Sequence, residues 1–264
     1  GRADLTKADF GKGSGKAGGP LDVRLDRLQV TRGIALTGFE GHFATGGGLN
    51  GGFSGDVNGG APVQGNVAPK DGRSAFVIKA ADAGAAMRSA GVFTRGQGGA
   101  MDLVIDPDGD APGHYRGRVA ISNLRVVDAP VLAELLGAIS VIGLLEQLNG
   151  SGILFGQVRG DFRMVPGAIE LRHGSAVGTS LGVSAEGVYR TEAGEVDFQG
   201  TISPIYLLNG IGQIVSRVGE GLFGFNYRVT GPTSAMRIAV NPLSILTPGM
   251  FREIFRSAPP KASP

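Results

Sequence analysis

A short segment in the second half of the chain matches the pattern of a serine nucleophile. Residues 178–182 read GTSLG, which is the G-x-S-x-G arrangement that exposes a serine on a turn between a strand and a helix. Here the residues after the serine, Val183 to Glu186, alternate between apolar and polar types as a strand does. The segment therefore predicts a β-turn, and we assign no catalytic residue to it.

A second segment superficially resembles a phosphate-binding loop. Residues 11–16 contain three glycines and end in Gly15-Lys16. The motif requires a glycine five residues before that pair and Ser or Thr after the lysine. Phe10 and Ala17 occupy those positions, so the segment predicts a flexible linker and no nucleotide site.

Three aspartates have the spacing of a calcium loop. Asp106, Asp108 and Asp110 stand at alternate positions, as the first ligands of such a loop do. Pro112 and Gly117 fall where the later ligands, including the closing glutamate, would be needed. A hairpin turn is therefore predicted, with a weakly held adventitious ion as the alternative.

The remaining polar residues do not cluster as an active site would. His42, His114 and His173 have no near histidine or cysteine partner in the sequence, and the chain has no cysteine at all. A glycosidase would need two carboxylates about 5–9 Å apart in a cleft. The acidic residues instead stand singly, mostly on the polar faces of strands. We expect no enzyme, no metal and no cofactor.

Composition narrows the choice of class. The net charge is only +2, and no Lys/Arg cluster is available to follow phosphates, so nucleic-acid binding is not expected. Hydrophobic residues make up 42%, and the 47 glycines are dispersed through alternating segments, which is typical of bent or bulged strands. No run reaches the roughly 20 apolar residues that span a bilayer. The first residues begin as though inside a strand pattern, so we expect the chain to be a fragment.

Alternating segments fill the first 121 residues. Gly-rich turns of two to five residues separate them, a spacing typical of antiparallel hairpins. Asp82 is expected to cap a short Ala-rich helix that ends at Ala90. The expected strands are 21–25, 34–39, 49–57, 62–67 and 74–80, followed by a hairpin within 101–121.

Two longer helices are expected in the second half. Asp128 is a good N-cap, and Val131 to Leu148 is apolar nearly all round, so it must be buried or lie in lipid. This helix could be ordinary core, a plug of an apolar groove, or a segment dipping into a membrane interface. Ser203-Pro204 opens the other helix, which should end at Val218.

Strands with one apolar face surround these helices. Side chains of a strand alternate between its two faces, so apolar residues at every second position form one apolar surface. Further strands are expected at 169–172, 183–189 and 196–202. The candidate lipid-binding residues on the apolar faces are Leu154, Val158, Phe162, Met164, Val196, Phe198, Ile202, Phe225, Tyr227, Val229, Met236, Ile238 and Val240.

The end of the chain resembles a known family. The segments GEGLFGFNYRVTGP (219–232) and VNPLSILTPGMFREIF (240–255) are similar to the C-terminal region of bacterial AsmA-like envelope proteins, a superfamily that includes YhdP and TamB. The resemblance continues upstream through residues 49–67, 128–152 and 199–212. It implies a long curled β-sheet with an apolar groove, an inner-membrane anchor before residue 1, a location in the periplasm, and a role in moving lipids between membranes.

These observations combine into one expectation. Residues 1–20 should be an incomplete strand and linker, 21–256 an AsmA-like β domain, and 257–264 a disordered tail. The fold should be mainly β: a long, twisted, mostly antiparallel sheet curled into a half-pipe or taco, with an apolar concave face and two main helices. The expected function is non-enzymatic shielding of phospholipid acyl chains. The alternative is a scaffold for outer-membrane biogenesis that contacts outer-membrane or periplasmic proteins through open sheet edges.

Overall fold

A computed structural model describes residues 1–4, 18–204 and 224–241. Most of the linker at 11–19, the helix expected up to Val218 and the tail at 257–264 lie outside these residues. The strands are β1 (Arg2–Asp4), β2 (Pro20–Gln29), β3 (Ala35–Ala44), β4 (Asn50–Val57), β5 (Ala61–Lys70), β6 (Arg73–Ala80), β7 (Gly96–Gln97), β8 (Ala100–Pro107), β9 (Tyr115–Val126), β10 (Ile153–Val165), β11 (Ala168–Gly178), β12 (Leu181–Arg190), β13 (Glu195–Pro204), β14 (Phe225–Pro232) and β15 (Arg237–Asn241). The helices are α1 (Ala83–Ser89), α2 (Pro130–Ala138) and α3 (Ile142–Asn149).

The strands belong to one hydrogen-bonded sheet whose order follows the chain. Each strand from β1 to β15 pairs with the next, except that β6 pairs with β8 and β7 pairs with β9 off this path. β1 runs parallel to β2, while the pairs from β2 to β6, β6 with β8, and the pairs from β10 to β15 are antiparallel. Short Gly-rich turns favour this meander because they join neighbouring antiparallel strands. The prediction of a mainly β fold with a long, mostly antiparallel sheet and helices is confirmed.

The chain divides into two compact units. The first comprises Gly1–Ala111 and Tyr115–Ile121, and the second comprises Pro112–His114 and Ser122–Pro264. The division falls within β9, whose first seven residues belong to the first unit and whose last five belong to the second.

The core of the first unit is built from alternating strand residues. In β5, Val63 and Val67 are buried while Gln64 and Asn66 between them are exposed, as strand geometry dictates. Phe39 of β3 is buried as well, and its ring centroid lies 6.5 Å from that of Phe43 and 5.9 Å from that of Phe53. These rings form offset stacks, a favourable aromatic arrangement.

Within the first unit, helix α1 contacts strand β5. Asp82 caps the helix as expected, because its Oδ1 accepts a hydrogen bond from the Ala85 amide at 2.8 Å. Ala86 joins the buried core around Val63. Asn58 donates to the Ser89 carbonyl at 2.8 Å and so ties the helix end to the β4–β5 turn. The small alanine side chains let this helix contribute to a filled core.

The helical segment of the second unit differs from the expected single helix. It consists of α2 and α3, separated at residues 139–141, where Ser140 has a φ of 58°. Such a backbone angle interrupts a right-handed helix, because side chains rarely adopt it. Asp128 is not the N-cap: that position is Ala129, which makes no side-chain cap bond. The expected helix start at Ser203-Pro204 is wrong too, since both residues end β13.

The two helices form a hairpin that contacts the first and the last of the strands β10–β15 in the second unit. Leu136, Leu144 and Leu148 are buried, and α2 and α3 contact each other. Helix α2 contacts β15, and α3 contacts β10. The hairpin therefore lies against the first and the last of the six strands β10–β15.

Candidate functional site

Strands β10–β15 place apolar side chains from every strand on one side of the sheet, here called the apolar face. Directly paired residues of neighbouring strands share a face, and the pairing runs Phe162–Leu171 and then Phe198–Val229–Ile238. Gly187 links the two series, because it pairs with both Leu171 and Phe198. The larger side chains of the apolar face are Phe155, Val158, Phe162, Met164, Ile169, Leu171, Leu181, Val183, Tyr189, Val196, Phe198, Ile202, Phe225, Tyr227, Val229, Ile238 and Val240.

Burial on the apolar face is uneven. Leu181, Ile202 and Val229, on the later strands, are buried. The apolar-face side chains that β10 and β11 contribute beyond Phe155 are only half-buried, and so are those of β15. Half-buried members from β10 and β11 are Val158, Phe162, Met164, Ile169, Leu171 and Ala176. The face is thus closed over part of its width and accessible over the rest.

A row of small residues crosses the apolar face. Gly160 pairs with Gly174, which pairs with Ala185, which pairs with Gly200. A Cβ added at Gly200 would lie 2.8 Å from the Tyr227 hydroxyl, and one at Gly174 would lie 2.8 Å from Leu171 Cδ2. The missing side chains therefore let Tyr227 and Leu171 lie flat against the backbone, which gives the face low relief.

Two of the thirteen predicted lipid-binding residues are not on the apolar face of the strands. The register of β10 shifts between Phe155 and Gln157, so Phe155 pairs with Gly178 and takes the apolar position. Leu154 consequently points to the opposite side and is 37% exposed. Met236 precedes β15 and is exposed rather than part of the ladder. The prediction assumed strict alternation and therefore missed this bulge. Gly156 lies at the bulge and was the signal for it in the sequence, because a glycine within a strand often marks one.

The side of β13 opposite the apolar face is polar but buried, which alternation alone did not reveal. Gln199, Thr201 and Ser203 are 7%, 1% and 1% exposed. Gln199 donates to the Glu186 carboxylate at 3.1 Å. The Ser184 hydroxyl accepts from the Thr201 amide at 3.1 Å. These bonds offset the loss of hydration that burial costs at Gln199 and Thr201, whereas Ser203 Oγ has no hydrogen-bond partner among the described residues.

An ion pair continues this polar side towards the strand ends. Two guanidinium nitrogens of Arg228, Nε and Nη2, donate to Oδ1 and Oδ2 of Asp197, each at 3.0 Å. The hydrogen bonds with Asp197, and then its negative charge, raise the pKa of Arg228 above its usual value. The guanidinium was already permanently charged, so this pair adds no titration in the physiological range.

The residues with catalytic or metal-binding patterns have ordinary structural roles. Ser180 lies in the turn between β11 and β12, so the predicted β-turn is confirmed. Asp106 accepts from Lys70 Nζ at 2.8 Å, and Asp108 lies 3.2 Å from Arg116 Nε. Through the part of the chain that the structure describes, no group of three His, Asp or Glu side chains could hold a metal ion.

His42 is the histidine with a close acidic partner. Its Nδ1 lies 2.7 Å from Asp22 Oδ1 on the polar side of β2 and β3, where both side chains are exposed. An exposed pair of this kind contributes little to stability and positions no nucleophile. This geometry supports an ion pair on the protein surface rather than a catalytic role for His42.

No helix in the described ranges is both long and apolar enough to cross a membrane. No protein-family model matches the chain, and neither the curated proteins nor the solved structures contain a significant match. The resemblance to AsmA-like envelope proteins therefore stays a prediction.

Proposed function

We propose that the chain is a non-enzymatic lipid-binding domain that holds phospholipid acyl chains on the apolar face of β10–β15. The observation that supports this most is the half-burial of Phe162, Leu171 and Ile169 in register with the buried residues of later strands. A folded protein gains by removing such side chains from water. A surface that leaves them accessible is typical of a binding site for an apolar partner.

The low relief of the apolar face suits a lipid acyl chain that moves along it. Each CH₂ group kept from water is worth about 0.8 kcal/mol, so an apolar surface spanning several strands lowers the barrier to moving a lipid through water. Aliphatic side chains make no directional bonds to a methylene chain. Binding is therefore spread over many similar positions, as a conduit requires.

The setting of this activity rests on the sequence resemblance. We propose that the domain belongs to a periplasm-spanning envelope protein, with the inner-membrane anchor in a part of the protein before residue 1. Its partners are phospholipids moving between the inner and the outer membrane. No catalytic residue, cofactor or nucleic acid enters this proposal.

Photocrosslinking tests the proposal at neighbouring positions of one strand. Phe162 lies on the apolar face, whereas Asp161 is exposed on the other side of β10. A photoreactive phenylalanine analogue at position 162 is expected to capture co-purified or added phospholipid, and the same analogue at position 161 is not. Equal yields at the two positions would contradict the proposal, provided that circular dichroism shows both variants folded.

A scaffold role is the second candidate, favoured by β15. Among the described residues this strand pairs through only one edge, with β14. Unpaired strand edges can add a strand from another protein. Ala239→Pro removes one backbone donor from this strand. If this change abolishes function in cells while lipid capture at position 162 persists, the scaffold role is the better account.

A further inference from the structure

The tip of the α2–α3 hairpin exposes an uncharged segment. Residues 137–143 read GAISVIG, and five of them are exposed. Ile142 is 67% exposed, whereas Val141 beside it is buried. Leu136 and Leu144 on either side are buried too, so the tip stands on an anchored base.

The chemistry of the tip excludes several partners. From Leu135 to Leu145 the chain carries no charged side chain, and Ser140 is the single hydroxyl. The nearest charges are Glu134 and Glu146, both exposed and both negative. A surface that attracts anionic lipids or nucleic acid needs basic residues, which are missing here.

A second exposed aliphatic residue shows why the tip is distinctive. Val92, after α1, is 71% exposed, but Arg88 and Arg95 lie within four residues of it in sequence. Isolated exposed aliphatic side chains are common on protein surfaces and need no partner. Ile142, in contrast to Val92, stands within eleven consecutive uncharged residues.

The position of the hairpin connects it to the apolar face. Its two helices contact β10 and β15, which are the strands that bound that face. The hairpin that carries the tip therefore lies beside strands from which a lipid would enter or leave the apolar face. We propose that residues 137–143 insert into the surface of a zwitterionic phospholipid bilayer, so that the apolar face is loaded or unloaded there. This inference rests on the proposed lipid-binding function.

The absence of tryptophan from the chain allows a direct test. Ile142→Trp introduces a single indole reporter, and Val92→Trp provides a matched control at an equally exposed site. On addition of phosphatidylcholine vesicles, the emission of the first variant is expected to shift to the blue and to be quenched by lipids with brominated acyl chains. The emission of the second is expected to stay unchanged.

A charge at the same position should weaken vesicle binding. Ile142→Asp is expected to lower co-sedimentation with phosphatidylcholine vesicles by about tenfold or more, because an aspartate is costly in the apolar region of a bilayer. Val92→Asp is the control and should leave co-sedimentation unchanged. Since Ile142 is exposed, neither change should unfold the protein.

The outcomes separate this inference from the proposed function. No blue shift at position 142, or equal shifts at 142 and 92, overturns membrane insertion. A shift that requires anionic phosphatidylglycerol, or one that follows protein concentration without vesicles, also overturns it, in favour of an electrostatic contact or of a second copy of the chain. Lipid capture at Phe162 without vesicle binding leaves the proposed function intact, whereas loss of that capture removes both.

Discussion

The two units are built from the same type of alternating strand, but individual strands differ in how far their apolar residues are covered. In the first unit, β5 turns Val63 and Val67 inwards and both are buried, with Ala86 of α1 in the same core. In the second unit, the equivalent alternation in β11 leaves Ile169 and Leu171 half-buried. The two strands have the same alternating pattern, so the difference in burial depends on which other elements pack on each strand.

The nature of each helical element accounts for part of this difference. Helix α1 is short and alanine-rich, and it contacts β5 within the first unit. The α2–α3 hairpin contacts β10 and β15, at the two ends of the strand series. A helix on a central strand completes a core. Contacts at the outer strands do not fully cover the apolar-face side chains of β10, β11 and β15, which stay half-buried, and we therefore propose binding at this face of the second unit.

The largest expected effect is on the filled core. Phe39→Ala removes a buried ring that stacks on Phe43 and Phe53, so unfolding free energy should fall by about 3–5 kcal/mol. Phe162→Ala, at the half-buried face, should cost less than about 2 kcal/mol. Urea unfolding followed by circular dichroism measures both. Similar losses would show that the second unit's face is as tightly packed as the first unit's core.

The next effect is on lipid binding. Leu171→Asp puts a charge on the apolar face, where contact with an acyl chain would remove water from the carboxylate. Retention of phospholipid through purification should fall by about tenfold or more, the equivalent of one lost aliphatic contact. Arg172 is exposed and has no paired residue in β10, so Arg172→Asp is the control and should retain lipid. Retained lipid in a folded Leu171→Asp protein would count against this face.

Glycine substitutions compare the two units at closer range. A Cβ at Gly200 would collide with the Ser184 carbonyl, which belongs to the backbone. A Cβ at Gly65 would meet the ring of Phe53, which can move aside. Gly200→Ala should therefore lower the free energy of unfolding by about 1–3 kcal/mol, and Gly65→Ala by less than about 1 kcal/mol. Thermal melting of the two variants measures both. The reverse order would show that the first unit is the more rigid at these sites.

The smallest effect concerns a single hydroxyl. Tyr227 donates to the Ser184 carbonyl at 2.7 Å, so Tyr227→Phe should cost about 0.5–1.5 kcal/mol. Tyr115→Phe in the first unit keeps the ring that lies 4.5 Å from the Arg73 guanidinium and should change stability by less than about 0.5 kcal/mol. Calorimetric melting of the two variants decides whether the hydroxyl at 227 is needed to hold the ring flat over Gly200.

Much of the strand layout was predictable from local pattern. Alternation in 62–67 and 74–80 identified β5 and β6, and the GTSLG segment was correctly read as a turn. Eleven of the thirteen predicted lipid-binding residues share the apolar face, because directly paired residues in regular ladders keep the same side. Leu154 was expected on the same face and is not, because the bulge between Phe155 and Gln157 reverses the side to which the residues before it point.

The helical segment was less predictable. Val131 to Leu148 carries only Glu134 and Glu146 as charges, so no polar stripe marked the break at Ser140. Gly137 and Gly143 flank that break, but isolated glycines occur within helices as well as at their ends. The hairpin forms because its two short helices pack on each other and on different strands, which is a contact between distant parts of the chain.

The sequence by itself determined the alternation, the turns and therefore the order of the sheet, since each depends on residues within a few positions of one another. Only the tertiary structure decided which faces are covered. Thr201, at an alternating polar position of the strand expected at 196–202, is buried, and so is Ser203, which was expected to open a helix, while Phe162 and Leu171 stay half-buried. Burial depends on which distant segments pack on a face, and alternation along one strand carries no information about them.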